Sequence, residues 1–306
     1  MKRAILAALF ASAALLIAAT SASAFTVDGA LDPGYGAPLT VQTTQTTNKV
    51  QPPGQVDFSV GSELDAGYGF IANGTLYLFL AGNAALWWTL EGVTEWQPLD
   101  LFIDSKPGGQ NQLLASNPTI DPFYDLKPMA GLTFDASFGA DYWLSVGSNA
   151  YGFPKLYAYS ADLPTAGGGA GAFLGTTSCG GPGILAGGTN PYGIEVTLDN
   201  QNTAGVTLGC GAASGAGVAT GIEWAIPLAA IGNPTACVKL CAFFNRADHG
   251  YLFDQVLGPL PPGTCDLGPA SGVNFAAIAG DQYVTICPAA TPARASSWGS
   301  LKTIYR

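Results

Sequence analysis

Apolar residues recur at every second position in a series of short stretches, and no long stretch repeats them at helical spacing. The clearest is TGIEWAIPLAAIG at 220–232. Ile222, Trp224 and Ile226 share one face, with Glu223 and Ala225 on the other. Pro227 ends the strand because it has no N–H for the ladder, yet it suits the first position of a helix, so 228–231 are expected to turn over the sheet edge. In TLYLFLA (75–81) Leu76, Leu78 and Leu80 lie on one face, and Tyr77 and Phe79 on the other. Both faces are apolar, which predicts an inner strand or one covered by loops. Asn73-Gly74 before it is a hairpin signal that joins it to a strand at 67–73.

Further strands are expected at 39–43, 99–104, 129–134, 142–146, 156–159, 193–198, 238–245, 273–277 and 282–286. Residues 167–175 are glycine-rich, but the G-x-G-x-x-x-G run from Gly169 is off register for a dinucleotide loop and reads as a mobile loop. Many short strands, one or two short helices and no βαβ alternation predict an all-β protein. The expected architecture is an antiparallel two-sheet β-sandwich, jelly-roll-like, with long Gly-rich loops.

Composition adds a compartment. Lys2 and Arg3, an uncharged run and Ala22-Ser23-Ala24 predict a secretory signal peptide over 1–24. One β-sandwich domain over 25–288 and a loose tail over 289–306 follow, since no linker-like stretch divides the middle. Net charge is −10, and two units lower once Lys2 and Arg3 are removed. Such a chain is repelled by phosphate backbones and anionic lipid, which argues against nucleic-acid partners and against membrane association after signal cleavage. Charged residues are only 10%, against about 25% in ordinary domains. That low charge, with 48% hydrophobic residues, favours association of some kind.

The six cysteines, Cys179, Cys210, Cys237, Cys241, Cys265 and Cys287, all lie in the C-terminal part. Export makes them disulfide candidates; the pairing is open, with Cys179–Cys210 expected because those two bracket one strand region. The spacing of Cys237 and Cys241 and the single His argue against zinc.

Five segments, in order, resemble the carbohydrate-binding family 9-like, or DOMON-like, β-sandwich of exported bacterial proteins. They are VDGALDPGYG at 27–36, TLYLFLAGN at 75–83, LDLFIDS at 99–105, YGIEVTLDN at 192–200 and, most specific, the Glu followed by Ile-Pro-Leu in TGIEWAIPLAAIG. The resemblance implies two stacked antiparallel sheets, sugar binding by aromatic residues in some members and a bound calcium ion in a number of them. No paired-Trp sugar clamp maps onto this chain residue by residue.

Trp87 and Trp88 are adjacent, so on a strand they point to opposite faces; one enters the core and the other needs a covering loop or a ligand. Tyr142 and Trp143 pose the same question. These four form the candidate sugar platform, with Glu223 as a ligand-facing candidate opposite the core face of its strand, where Trp224 sits. Asp100 and Asp104, with Asn111 or Gln112, offer oxygens for calcium, although no D-x-[DN]-x-[DN]-G loop is present. Asp199, Asn200 and Asn202 read as an Asx-capped turn. Glu195 and Glu223 are the carboxylates available to a glycoside hydrolase, but nothing in the sequence sets them across a cleft. Asp248-His249 holds the only His, expected on an exposed loop, and no G-x-S-x-G elbow supplies a nucleophile. The expected function is a secreted, non-catalytic sandwich that binds carbohydrate or another surface polymer. The alternatives are a self-associating structural or adhesive surface protein and, third, an exported glycoside hydrolase.

Overall fold

The alternation seen in the sequence becomes two antiparallel sheets that face each other across a shared core. The computed structural model describes residues 25–47, 62–86, 88–90, 93–148 and 155–288, the side chains of 88–90 and 93–95 excepted. The expected leader and tail lie outside the described residues.

In chain order the first strands are β1 (Thr40–Val41), β2 (Glu63–Ala72), β3 (Thr75–Asn83), β4 (Trp88–Leu90), β5 (Val93–Glu95) and β6 (Leu99–Asp104). Next come β7 (Thr119–Asp121), β8 (Tyr124–Asp125), β9 (Tyr142–Gly147), β10 (Lys155–Asp162), β11 (Gly171–Ser178) and β12 (Ala186–Gly187). The last are β13 (Glu195–Leu198), β14 (Gly221–Pro227), β15 (Val238–Asn245), β16 (Tyr251–Leu257), β17 (Gly268–Pro269) and β18 (Val284–Ile286). The smaller sheet runs β1-β2-β3-β14-β13. The larger runs β12-β11-β10-β9-β6-β15-β16-β17, with β18 attached to β15. Two separate two-stranded ribbons, β4-β5 and β7-β8, complete the set.

Period-2 alternation decides what fills the space between the sheets. Leu76, Leu78 and Leu80 of β3 and Ile222, Trp224 and Ile226 of β14 meet Leu99, Leu101 and Ile103 of β6 and Leu240, Ala242 and Phe244 of β15. Each such aliphatic or aromatic side chain contributes about 1.5–3 kcal/mol on leaving water. The opposite faces are not left wet. Phe102, Trp143, Tyr159 and Phe243 on the outside of the larger sheet lie under Leu126, Met129, Phe134, Phe138 and Phe275. On the smaller sheet Phe79 and Tyr68 lie under Tyr35, with Phe25 packed alongside.

These covers explain where the expected strands fail. Residues 129–134 and 273–277 form no strand: the chain makes 3₁₀ turns at Lys127–Met129 and Phe275–Ala277, and its apolar residues cap the large sheet instead of extending it. The glycine-rich stretch is loop only in its first half, because β11 begins at Gly171 and pairs with β10. Strand β16 went unforeseen; its Asp254 and Gln255 are polar and yet fully buried, which hides the apolar alternation.

The short helices are single 3₁₀ turns. The one after Pro227, Leu228–Ile231, stops at Gly232, whose φ of 83° lies in the left-handed region. Leu228 N donates to Gly74 O at 2.8 Å, docking the Asn73-Gly74 hairpin tip (φ 51° and 76°) on this turn. Edges are short or covered: β1 has two residues, and the chain beyond it bonds residues 211–215. Val196 N of β13 donates to Gly183 O at 2.8 Å.

Two disulfides are present, Cys210–Cys265 and Cys237–Cys287, while Cys179 and Cys241 stay reduced. The expected Cys179–Cys210 pair is thereby corrected. Thr44 Oγ1 donates to Thr264 O at 2.9 Å and its backbone bridges Ala212, which holds the Cys210 and Cys265 segments together; Cys179 packs instead against the inter-sheet core. Cys237 and Cys287 flank the first rung of the β15–β18 pair, Val238 opposite Ile286. Closing loops of 55 and 50 residues stabilises by about 4 kcal/mol each in the chain-entropy account. No helix among the described residues is long and apolar enough to cross a membrane.

Candidate functional site

The cleft between the sheets

At one end of the sandwich the inner face of β9, β10 and β11 is not met by a strand but by the 189–194 loop and the turn after β14. Between them lies a cleft of about 190 Å³. Register sets its walls: on β10, Asp162 stands opposite Tyr142 and Ser160 opposite Leu144, with Ala172 of β11 on the other side of Ser160. Leu144, Leu174, Ile194 and Ile231 are buried and form the floor. Tyr142 and Ser160 are half-buried walls, and Asp162, Thr189 and Tyr192 stand exposed at the mouth, Tyr192 at 54%.

Asn190 shapes the loop wall, because its amide both donates to Ile194 O (2.8 Å) and accepts from Ile194 N (2.9 Å). On the other side Asp141 accepts from the backbone N–H groups of Ser105 and Lys106 (both 2.9 Å), and Ser105 Oγ donates to Ile231 O (2.8 Å). Lys106 is thereby placed over the Tyr142 ring, 4.4 Å from its centre, and donates to the Tyr142 hydroxyl at 2.8 Å. Partial burial works against the ammonium, but the Tyr142 hydroxyl and the carboxylates of Asp141 and Asp162 outweigh it and hold the Lys106 pKa above its ordinary value.

Where the sequence candidates lie

Of the expected platform, Tyr142 alone is found in a ligand-accessible position. Trp87 lies outside the described residues, and of Trp88 only the backbone, in β4, is described. Trp143 lines the cleft only from within the body of the protein: it is fully buried, and its Nε1 donates to Asp100 Oδ1 at 2.9 Å. That position takes it out of the platform. Glu223 is likewise corrected as a ligand-facing residue. It is fully buried and accepts from Asp28 N (2.9 Å), Gly29 N (3.0 Å) and the Tyr35 hydroxyl (2.9 Å). Burial raises its pKa, against the pull of these donors.

The calcium candidates do not converge. Asp100 is buried and accepts from Trp143, from Asn245 Nδ2 (3.1 Å) and from His249 Nδ1 (3.0 Å). Asp104 pairs with Lys239 at 3.5 Å and accepts from Gly139 N at 3.2 Å. Asn111 spends its amide on the carbonyls of Phe134, Asp135 and Phe138, fastening the covering segment. No group of three or more His, Cys, Asp or Glu among the described residues is arranged to hold a metal. His249 is not on an exposed loop: its side chain and that of Asp100 have 0% exposure, so no substrate reaches the pair. The Asp199 turn is capped as expected, Asp199 Oδ1 accepting from Gln201 N and Asn202 Oδ1 from Ala204 N.

Asp162, Thr189 and Tyr192 were not among the residues expected at a site. Asp162 and Thr189 lie in no motif, and Tyr192 opens the YGIEVTLDN segment only as a fold marker; strand register and a loop bring them together. Comparison with protein-family models, with curated proteins and with solved structures finds no match.

Buried acids and pH

A second set of acids sits away from the cleft, in the smaller sheet and its neighbour β16. Glu63, Asp65 and Asp254 are all fully buried. Asp65 accepts from Val206 N (2.8 Å) and Asp254 from Thr47 N (3.1 Å). Desolvation lifts both pKa values, that of Asp254 to about 6, because the hydrogen bonds only partly offset the cost of a buried charge. Since the folded pKa lies above the unfolded one, the folded state holds these protons more tightly. Their stabilisation is complete below about pH 4 and fades as pH rises through about 6 for Asp254. Expressed as free energy, the Asp254 shift is about 3 kcal/mol. The urea midpoint is therefore expected to be higher at pH 5 than at pH 8, and Asp254→Asn to flatten the slope between pH 4 and 6. Equal midpoints at the two pH values would contradict this.

Proposed function

We propose that the protein is a non-catalytic binding protein that holds a carbohydrate in the cleft between β9–β11 and the 189–194 loop. One observation carries this reading: Tyr142 and Tyr192 border a single cleft in which the side chains of Ser160, Asp162 and Thr189 make no hydrogen bond to the protein. A flat ring beside free hydroxyl and carboxylate groups matches a pyranose, whose C–H face is apolar and whose edge is all donors and acceptors. The resemblance of the TGIEWAIPLAAIG strand points the same way. Glycoside hydrolysis needs two carboxyl groups about 5–10 Å apart across the bond, and among the described residues Asp162 is the one carboxylate that lines this cleft; the chemistry on offer favours holding over cutting.

Export belongs to the same reading, supported by the leader-like pattern at 1–24 and by two disulfides. Self-association by an open sheet edge has less support, because the described edges are short or covered.

A glycan array and polysaccharide pull-down, with and without calcium, followed by fluorescence titration of the ligands found, test the proposal. Tyr142→Ala is expected to weaken the best ligand at least about tenfold, the effect of one lost stacking surface with its hydroxyl. If no glycan binds, or if Tyr142→Ala binds as tightly as the natural chain, the reading falls.

A further inference from the structure

The inner face of β10 changes character along its length. Leu156 and Ala158 are buried in the inter-sheet core, Ser160 is half-buried, and Asp162 is exposed. Its neighbour β9 repeats the gradient, from Val146 and Leu144 in the core to Tyr142 at the mouth. The cleft thus has an aliphatic floor of Leu144, Leu174, Ile194 and Ile231 beneath a polar rim. At the border stands one hydroxyl, Ser160, between Leu144 and Ala172 and bonded to no protein group.

Such a floor discriminates among sugars. An ordinary pyranose carries a hydroxyl on most of its ring carbons, and one pressed against this floor loses its water without gaining a partner, at about 1–3 kcal/mol. A methyl group in the same place loses nothing and gains from burial. An acetyl substituent joins that methyl to a carbonyl oxygen, an acceptor on the neighbouring carbon, as the register sets the Ser160 hydroxyl beside the aliphatic Leu144. Asp162 and Thr189 at the rim remain free for the hydroxyl groups of the same ring.

Resting on the reading that the cleft takes a sugar, we propose that it selects acetylated sugars, with the acetyl methyl on the Leu144, Leu174 and Ile231 floor and its carbonyl accepting a hydrogen bond from Ser160 Oγ. The acetyl group has two common sources in polysaccharides, the N-acetyl of a hexosamine polymer and the O-acetyl of an esterified xylan.

The test uses two neutral pairs, one differing in the acetamido group that replaces a hydroxyl and the other in an O-acetyl group alone. The purified protein is titrated with tetra-N-acetylchitotetraose against cellotetraose, and with O-acetylated xylo-oligosaccharides against the same oligosaccharides after mild alkaline deacetylation. At least one acetylated member is expected to bind tenfold or more tightly than its partner, and the pair that shows it names the source. Ser160→Ala is expected to narrow that ratio to less than about threefold, and Ala172→Leu, which fills the space beside Ser160, to abolish it. Thermal melts of both variants confirm that they fold. Equal binding within both pairs overturns this proposal and leaves the sugar reading standing; no binding of any of the four ligands, nor of any glycan on the array, removes both. A preference that survives Ser160→Ala and Ala172→Leu alike places the acetyl group elsewhere and also overturns it.

Discussion

Asp100→Ala is expected to lower the stability of the fold by at least about 4 kcal/mol, enough to leave much of the protein unfolded at 37 °C. The carboxylate sits on the outer face of β6 with no exposure and accepts from three side chains: Trp143 Nε1 at 2.9 Å, Asn245 Nδ2 at 3.1 Å and His249 Nδ1 at 3.0 Å. With the carboxylate oxygen as acceptor, the proton shared on the His249 contact is the one on Nδ1. Removing the acceptor strands three buried donors, each costing about 1–3 kcal/mol. A domain has only about 5–15 kcal/mol in total. The partners come from β9, β15 and the loop after β15, so the loss is shared by the middle of the larger sheet and cannot be contained as local fraying. Asp100→Asn keeps one acceptor but turns an amide N–H₂ toward a donor, and is expected to cost about half as much. Urea unfolding followed by tryptophan fluorescence and near-ultraviolet circular dichroism measures both. A midpoint for Asp100→Ala within error of the natural protein would refute the account of this hub.

Glu223→Ala should act differently, by releasing the first segment of the described chain. Glu223 bonds the backbone of Asp28 and Gly29 and the hydroxyl of Tyr35, and the same segment holds Tyr35 and Phe25 over Phe79 and Phe70. With the acceptor gone, two N–H groups and one O–H lose their partner beneath that cover, a cost of about 3 kcal/mol. Water can relieve it only if 25–36 lifts off. Hydrogen exchange is expected to show fast amides in 25–36 and in the edge of the smaller sheet, while the β6 and β15 amides keep their protection. Glu223→Gln should show a weaker form of the same pattern. Unchanged exchange in 25–36 for Glu223→Ala would mean that this carboxylate holds nothing in place.

These two acids show what the sequence can and cannot say. Alternation in TGIEWAIP places Ile222, Trp224 and Ile226 in the core and Glu223 opposite, and the structure agrees. What lies on the far side of a sheet is decided by distant segments. Glu223 and Trp143 look available from their own strands, and both are covered by chain that folds over from 25–36 and from 105–141. His249 reads as a loop residue, and it is a loop residue; only the tertiary fold turns it inward to Asp100. The strands at 99–104 and 238–245 were legible because burial on both faces leaves long apolar runs. Those expected at 129–134 and 273–277 were apolar for a different reason, as lids. Of the cleft only Tyr142 was legible, since Ser160 reaches it through register and Tyr192 through a loop, and period 2 tells which face a residue takes but not which strand or loop lies beside it.

The two disulfides interleave along the chain, 210 with 265 and 237 with 287. A single backbone cut anywhere between Cys210 and Cys287 therefore cannot set a fragment free. Between Cys210 and Cys237 the severed halves stay joined by the first bond, between Cys265 and Cys287 by the second, and in the central span by both. The part of the chain that carries β14 to β18, and with them more than a third of the inter-sheet core, is thus a closed covalent mesh that can be nicked in its exposed loops and still keep every strand at hand to re-form the sheet.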